Sequence, residues 1–183
     1  MSFKEDTGEL ILGAGSASIG TVTVAANSYS AAVTLTRTSD TNLYAAKDVI
    51  GAATGSTAAL TFASMGPSAG RVVLTSCALE IDLAGVIAGM TSYRLYLYNV
   101  TPPSALGDNA AFDLPSGDRA SYLGYVDLGT PVDLGSTLYV ELNGINKQIK
   151  LSGTSIFAYL VTIGTYTPSS ADVHVITLHA VGV

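Results

Sequence analysis

Tyr93-Arg94-Leu95-Tyr96-Leu97-Tyr98-Asn99 alternates with a period of two. Successive side chains of a strand point to opposite faces, so Tyr93, Leu95 and Leu97 share one face while Arg94, Tyr96 and Tyr98 share the other. A period of two, not 3.6, is the pattern of a strand and not of a helix. Thr101-Pro102-Pro103 follows, and a Pro-Pro pair has no amide hydrogens to donate, so it ends the strand.

The same reading extends outward. Residues 71–83 form a long strand candidate, with Val73, Thr75, Cys77, Leu79, Ile81 and Leu83 on one side and Glu80 and Asp82 opposite. Further candidates are 21–25, 32–37, 58–63, 122–128, 137–142, 148–151, 155–163 and 172–181. Turn signals separate them: Ala69-Gly70, Leu114-Pro115-Ser116-Gly117, Gly129-Thr130-Pro131, Asn143-Gly144 and Thr167-Pro168-Ser169. Asn143-Gly144 between two apolar runs predicts a tight hairpin, because both residues tolerate positive φ. Segments 83–90 and 109–112 are the only places where a helical turn is expected. The pattern predicts an all-β chain: an antiparallel β-sandwich of about eight strands with Gly/Pro turns. An N-terminal arm, residues 1–30, precedes the sandwich domain at 31–183. Gly13-Ala14-Gly15-Ser16-Ala17-Ser18 within it is small and uncharged. Such an arm stays ordered only when tied down, which predicts packing on another surface, such as a neighbouring subunit.

Two strands are two-faced. In 155–163, Phe157, Tyr159, Val161 and Ile163 oppose Ile156, Ala158 and Leu160; in 172–181, Val173, Val175 and Val181 oppose Ile176, Leu178 and Ala180. One set serves the core, and the other needs cover from the arm, a loop or another chain. Tyr96, Tyr98, Phe157, Tyr159, Val173 and Val175 are therefore the candidate interface residues.

Charge is scarce. Charged residues make up 12% of the 183, against about 25% in an ordinary soluble domain. None occurs between Leu10 and Thr36, and Asp172 is the only one after Lys150. Such a chain needs something other than water for part of its surface, which points to an assembly subunit. The two uncharged segments are expected to lie against each other or against a neighbour, with Asp108, Asp113, Asp118 and Arg119 on exposed loops. The net charge of −6 and the scattered Lys and Arg leave no basic stripe, so nucleic-acid binding is not expected. Glu5 and Asp6 precede any apolar run, unlike a secretory signal, and no stretch matches a membrane helix. Both point to synthesis in a cytoplasm and to no membrane partner.

The search for chemistry returns little. Cys77 is the single cysteine, read as a buried thiol. His174 and His179 lie five apart in one strand, on opposite faces, and do not share a metal. Asp108, Asp113 and Asp118 suit loop capping and a local pair with Arg119 better than calcium. No Gly-x-Ser-x-Gly elbow, phosphate loop or dinucleotide fingerprint is present. Neither an enzyme nor a cofactor is expected.

Two segments carry a resemblance: Thr36-Arg37-Thr38-Ser39-Asp40-Thr41-Asn42-Leu43-Tyr44-Ala45-Ala46-Lys47-Asp48-Val49-Ile50-Gly51, and Leu95–Asn99 with Pro102-Pro103 and Asp108-Asn109-Ala110-Ala111-Phe112. The set resembles small capsid decoration, or cement, proteins of tailed bacteriophages, over roughly residues 36–112. The resemblance implies a jelly-roll sandwich that trimerises on the capsid exterior against the major capsid protein. It carries over no residue with a chemical role; Gly51 is expected as a turn, Asn99 and the prolines as a strand end, and Asp108-Asn109 as a capped loop. The alternative is a receptor- or glycan-binding module of a tail or head fibre, with Tyr96 and Tyr98 as a sugar platform.

Overall fold

The computed structural model describes residues 27–52 and 57–183. Ten strands run in chain order: β1 (Ser28–Thr36), β2 (Val49–Ile50), β3 (Leu60–Phe62), β4 (Arg71–Ile81), β5 (Tyr93–Tyr98), β6 (Tyr122–Gly129), β7 (Val132–Asp133), β8 (Leu138–Lys150), β9 (Ile156–Thr162) and β10 (Val173–Gly182). They form two antiparallel sheets, β1-β10-β4-β8-β7 and β2-β9-β5-β6, with β3 also paired to β9. Both β2 and β3 pair with β9 and act as two pieces of one strand. Without the short edge strand β7, the spatial order is then 1-8-3-6 over 2-7-4-5. That double Greek key is the jelly-roll order.

The core lies between the inner faces, where Val72, Leu74, Cys77, Leu79 and Ile81 meet Leu95, Leu97, Ile156, Ala158, Leu160, Ile176 and Leu178. Tyr93, Leu95 and Leu97 point into it as the alternation of β5 requires, and Tyr96 and Tyr98 point out. β1, from the uncharged N-terminal stretch, pairs along its length with β10, from the uncharged C-terminal stretch, running from Ser28↔Val181 to Thr36↔Val173. The strand candidate at 21–25 and the rest of the arm up to residue 26 lie outside the described residues.

Four expectations need correction. The long strand β4 does not keep one face: Val72 and Leu74 are buried, then Cys77, Leu79 and Ile81, so Val73 and Thr75 point outward. The cause is a bulge at Thr75. There the pairing steps from Leu74 to Ser76 on β4, against Ala180 and His179 of β10. A bulge adds a residue and reverses the alternation beyond it.

Asn143-Gly144 is not a hairpin either. β8 runs through it as one strand, and its pairing with β4 jumps from Ser76↔Asn143 to Leu74↔Lys147. Gly144, Ile145 and Asn146 bulge out opposite Thr75, with positive φ at Gly144 (70°) and Asn146 (51°). The turn chemistry was real, but β4 continues alongside and holds both halves in one ladder. Segments 83–90 and 109–112 form turns and bends without helix; among the described residues the one helical turn is a 3₁₀ turn at Ser116–Asp118.

Finally, Asp108 and Asp118 are buried, at 4% and 2% exposure, while Asp113 and Arg119 are exposed. The Asp108 and Asp118 carboxylates find backbone and side-chain donors inside the fold, as described next.

Candidate functional site

The segment with the strongest sequence signature builds a buried polar hub. Arg37 leaves the end of β1 with its side chain fully buried. Its Nε donates to Tyr44 Oη (2.6 Å), its Nη1 to Ser169 O (2.8 Å) and Asp172 Oδ1 (3.2 Å), and its Nη2 to Asp40 Oδ1 (3.3 Å). Asp108 accepts from the Tyr44 hydroxyl, from Gly51 N (2.8 Å) and from Thr38 Oγ1 (3.1 Å), and lies 3.9 Å from Arg37 Nη2. A side chain at Gly51 would meet Ala58 Cβ at 2.6 Å and Asp108 N at 3.1 Å, so this position is a close approach more than a turn. Burial alone would lower the Arg37 pKa, but Tyr44 and Asp172 outweigh it and hold the guanidinium charged. Burial and then the Asp108 hydrogen bond push the Tyr44 phenol far up, so it stays a donor.

His174 sits two residues along from Asp172, fully buried, with its ring 6.4 Å from that of Tyr93. Among the described residues neither of its ring nitrogens has a hydrogen-bond partner, nor does Asp172 Oδ2. Burial, then the Arg37 charge, lowers the His174 pKa to about 3, so the imidazole is neutral. Burial raises the pKa of Asp172 against the opposing pull of Arg37. The hub contains acids, a base and phenols, but it is closed and its polar atoms are largely spent on one another. Its work is to join β1, the 38–51 segment, the 99–121 loop and β10 at one end of the sandwich.

The 99–121 loop covers the outer face of β5 and β9. Phe112 stacks on Tyr96, ring centroids 3.7 Å apart and planes 21° from parallel. Tyr159 Oη accepts from Leu106 N and donates to Ser104 O, both at 3.1 Å. Asp118 accepts from Ser104 N (3.1 Å) and Ser104 Oγ (3.0 Å), closing the loop on itself. Of the candidate interface residues, Tyr98 and Tyr159 are therefore buried, Tyr96 is 9% exposed and Phe157 is half-buried. Tyr96 and Tyr98 offer no open platform to a sugar. Of the three covers the sequence left open for the outer face of β9 (the arm, a loop or another chain), a loop of the chain itself supplies it. Phe112→Ala should remove the stack on Tyr96 and cost about 1–2 kcal/mol in urea unfolding, since Phe112 is only partly buried.

Val173 and Val175 lie on the opposite side of the molecule, on the outer face of the first sheet. The outward row of β10 is Val173, Val175, Thr177, His179 and Val181, all half-buried. Thr36, Thr34, Ala32 and Ser30 of β1 flank it on one side; Glu80, Ala78 and Ser76 of β4 flank it on the other. Along the outward rows of β1 and β10 there is no formal charge; β4 carries Glu80 near one end and Arg71 at the other, and Asp82 lies just beyond it beside Val173. An antiparallel sheet facing water normally alternates to polar and charged residues on that face. Here, apart from His179 on β10, the outward residues of β1 and β10 are small or β-branched. Cys77 is buried and burial lifts its thiol pKa to about 12. His174 and His179 point to opposite faces, and among the described residues no group of acids, histidines and cysteine is placed to hold a metal.

The strand order, hub and covered loop define a jelly-roll β-sandwich. No protein-family model matches the chain, and no curated protein matches it in sequence. Weak structural neighbours include viral capsid proteins. A chain of the heated Israeli acute paralysis virus particle is 12% identical, covering 85% of this chain and 71% of its own, with a TM-score of 0.28. A chain of Mud Crab Dicistrovirus is 12% identical, covering 100% and 79%, with a TM-score of 0.30. Carbohydrate-binding proteins are also among them: the CBM22-1-GH10 modules of Clostridium thermocellum xylanase 10B, complexed with xylohexaose, are 9% identical over 82% of this chain and 26% of that one, with a TM-score of 0.29. Similarities this low carry no argument about function.

Proposed function

We propose that this protein is a structural virion component, a decoration protein that binds the outside of an assembled phage capsid and stabilises it, without enzymatic activity. The observation that carries the reading is the outer face of β1 and β10, whose outward rows hold no formal charge along their whole length. Burial of Arg37, Asp48, Asp108, Asp118 and Asp172 leaves the surface still poorer in charge than the composition suggests. Extended faces of this kind are suited to a protein partner. The resemblance of residues 36–112 to capsid decoration proteins agrees with it, and the overall negative charge suits the outside of a shell better than a DNA-filled interior.

The stabilisation is mass action: a ligand that binds only the assembled shell lowers the free energy of that state. Assembly as a homotrimer against the major capsid protein would add avidity, because the second and third contacts become intramolecular. Adding the protein to undecorated shells and following heat-induced rupture tests this. Decorated shells should rupture at a higher temperature; an unchanged rupture temperature with no bound protein overturns the reading.

A further inference from the structure

A groove of about 510 Å³ opens between the β6 edge and the β8 bulge, lined by Tyr125, Asp127, Asn143, Asn146 and Lys147 among others. We infer that this groove is a binding site for an acidic saccharide, one that carries a carboxylate. It is distinct from the outer face of β1 and β10, and the inference does not rest on the decoration reading.

The first ground is the aromatic. Tyr125 is 50% exposed, whereas Tyr96, Tyr98 and Tyr159 are buried by the chain's own loop. The Arg94 guanidinium lies over its ring at 4.4 Å from the centroid and pairs with Asp127 at 2.8 Å. The ring is thus braced in place while half its surface meets solvent. An aromatic with a polar tip offers the C–H face of a sugar ring an apolar platform without losing its own hydration.

The second ground is the bulge. Asn143 and Asn146 are exposed, and the positive φ of Gly144 and Asn146 throws this stretch out of the ladder. Each amide offers both a donor and an acceptor, the pairing that neighbouring sugar hydroxyls require. A few placed polar groups beside an apolar platform, in a groove of a few hundred Å³, are the ordinary make-up of a small-ligand site.

The third ground is charge. Arg94 neutralises Asp127, but Lys147 makes no ion pair among the described residues. Its ammonium is seated against β6 where Gly124, at φ +94°, has no side chain; a Cβ there would lie 2.8 Å from Lys147 Nζ. The groove therefore holds one uncompensated cation, on a protein whose net charge is −6. A ligand with both hydroxyls and a carboxylate satisfies the ring, the amides and the lysine together. A neutral sugar leaves the lysine unanswered, and a phosphate alone leaves the ring unused.

The test is calorimetric titration of the intact protein with oligomers of a uronic acid, beside their neutral hexose counterparts and a nucleoside monophosphate. The uronate oligomers should bind and the neutral ones should bind more weakly. Tyr125→Ala should weaken uronate binding about tenfold and Tyr125→Phe much less, as expected for a stacking platform. Lys147→Met should remove the preference for uronate over hexose, a readout that a folding defect would not produce. Unchanged melting of each variant confirms the fold. The inference is overturned if no uronate oligomer binds, if the nucleotide binds instead, or if Tyr125→Ala and Lys147→Met leave uronate binding as it was.

Discussion

Arg37→Met should cost about 3–5 kcal/mol of unfolding free energy, the range for removing one partner of a buried ion pair. That is a large part of the ~5–15 kcal/mol that holds a domain together. The substitution keeps much of the aliphatic stem and removes only the charged fork. Asp172 would then be left with a buried carboxylate and no cation, Asp108 would lose its nearest one, and Tyr44 Oη and Ser169 O would each lose a donor. Because the Arg37 side chain is fully buried, solvent does not screen the loss. Arg37→Lys should recover only a small share. One ammonium on a flexible stem cannot reproduce a planar fork reaching Tyr44, Asp40, Ser169 and Asp172 at once. Urea unfolding of the two variants beside the parent reads both numbers. A cost below about 1 kcal/mol for Arg37→Met, the size of an exposed pair, would show that the hub is not closed.

The second large effect is acid sensitivity through His174. Its folded pKa is lowered to about 3 by burial and by Arg37, against an ordinary value of 6.5. Between those values the unfolded chain takes up a proton that the folded chain refuses. Stability therefore holds above pH 6.5 and falls as the pH drops towards 3, by up to about 1.4 kcal/mol per pH unit for one proton. Asp172 works in the opposite sense lower in the window. Its folded pKa is raised by burial, so the folded state binds the proton more readily and regains some stability as the pH falls through that range. His174→Leu should remove the slope between about pH 6.5 and 4.5 and, with two orphaned nitrogens gone, should be no less stable at neutral pH. Thermal unfolding of parent and variant across that range reads the difference, and equal slopes would mean that His174 is not the titrating group.

Much of the architecture was legible because a period of two survives inspection without tertiary knowledge. The two faces of β5, β9 and β10 lie where the alternation of Leu95, Leu97, Tyr159 and Ile176 put them. The errors arose where a neighbouring strand changes the meaning of a local signal. Thr75 shows no bulge chemistry of its own, and the bulge follows from fitting β4 between β10 and β8. Asn143-Gly144 carries hairpin residues, but a continuous partner strand turns the same φ preferences into a bulge.

The hub was hidden for a different reason. Asp108 lies 71 positions along from Arg37 and looks like any loop aspartate. Only the folded chain brings Tyr44, Thr38 and Gly51 to it. The signal that could have found it was the density of Arg, Asp and Tyr in residues 37–48 of a chain otherwise so poor in charge. The Tyr125 groove was illegible because its two walls come from different sheets.

The scarcity of charge finds its most direct test on the outer face of β10. Val175→Glu together with Thr177→Lys places two charges among Thr34, Ala32, Glu80 and Ala78 without touching the core. Co-sedimentation of parent and variant with undecorated capsid shells measures whether that face makes the contact. The parent should pellet with the shells and the variant, equally well folded by circular dichroism, should stay in the supernatant. A variant that pellets as fully as the parent, or a parent that never pellets, would contradict the assignment of this face to the capsid.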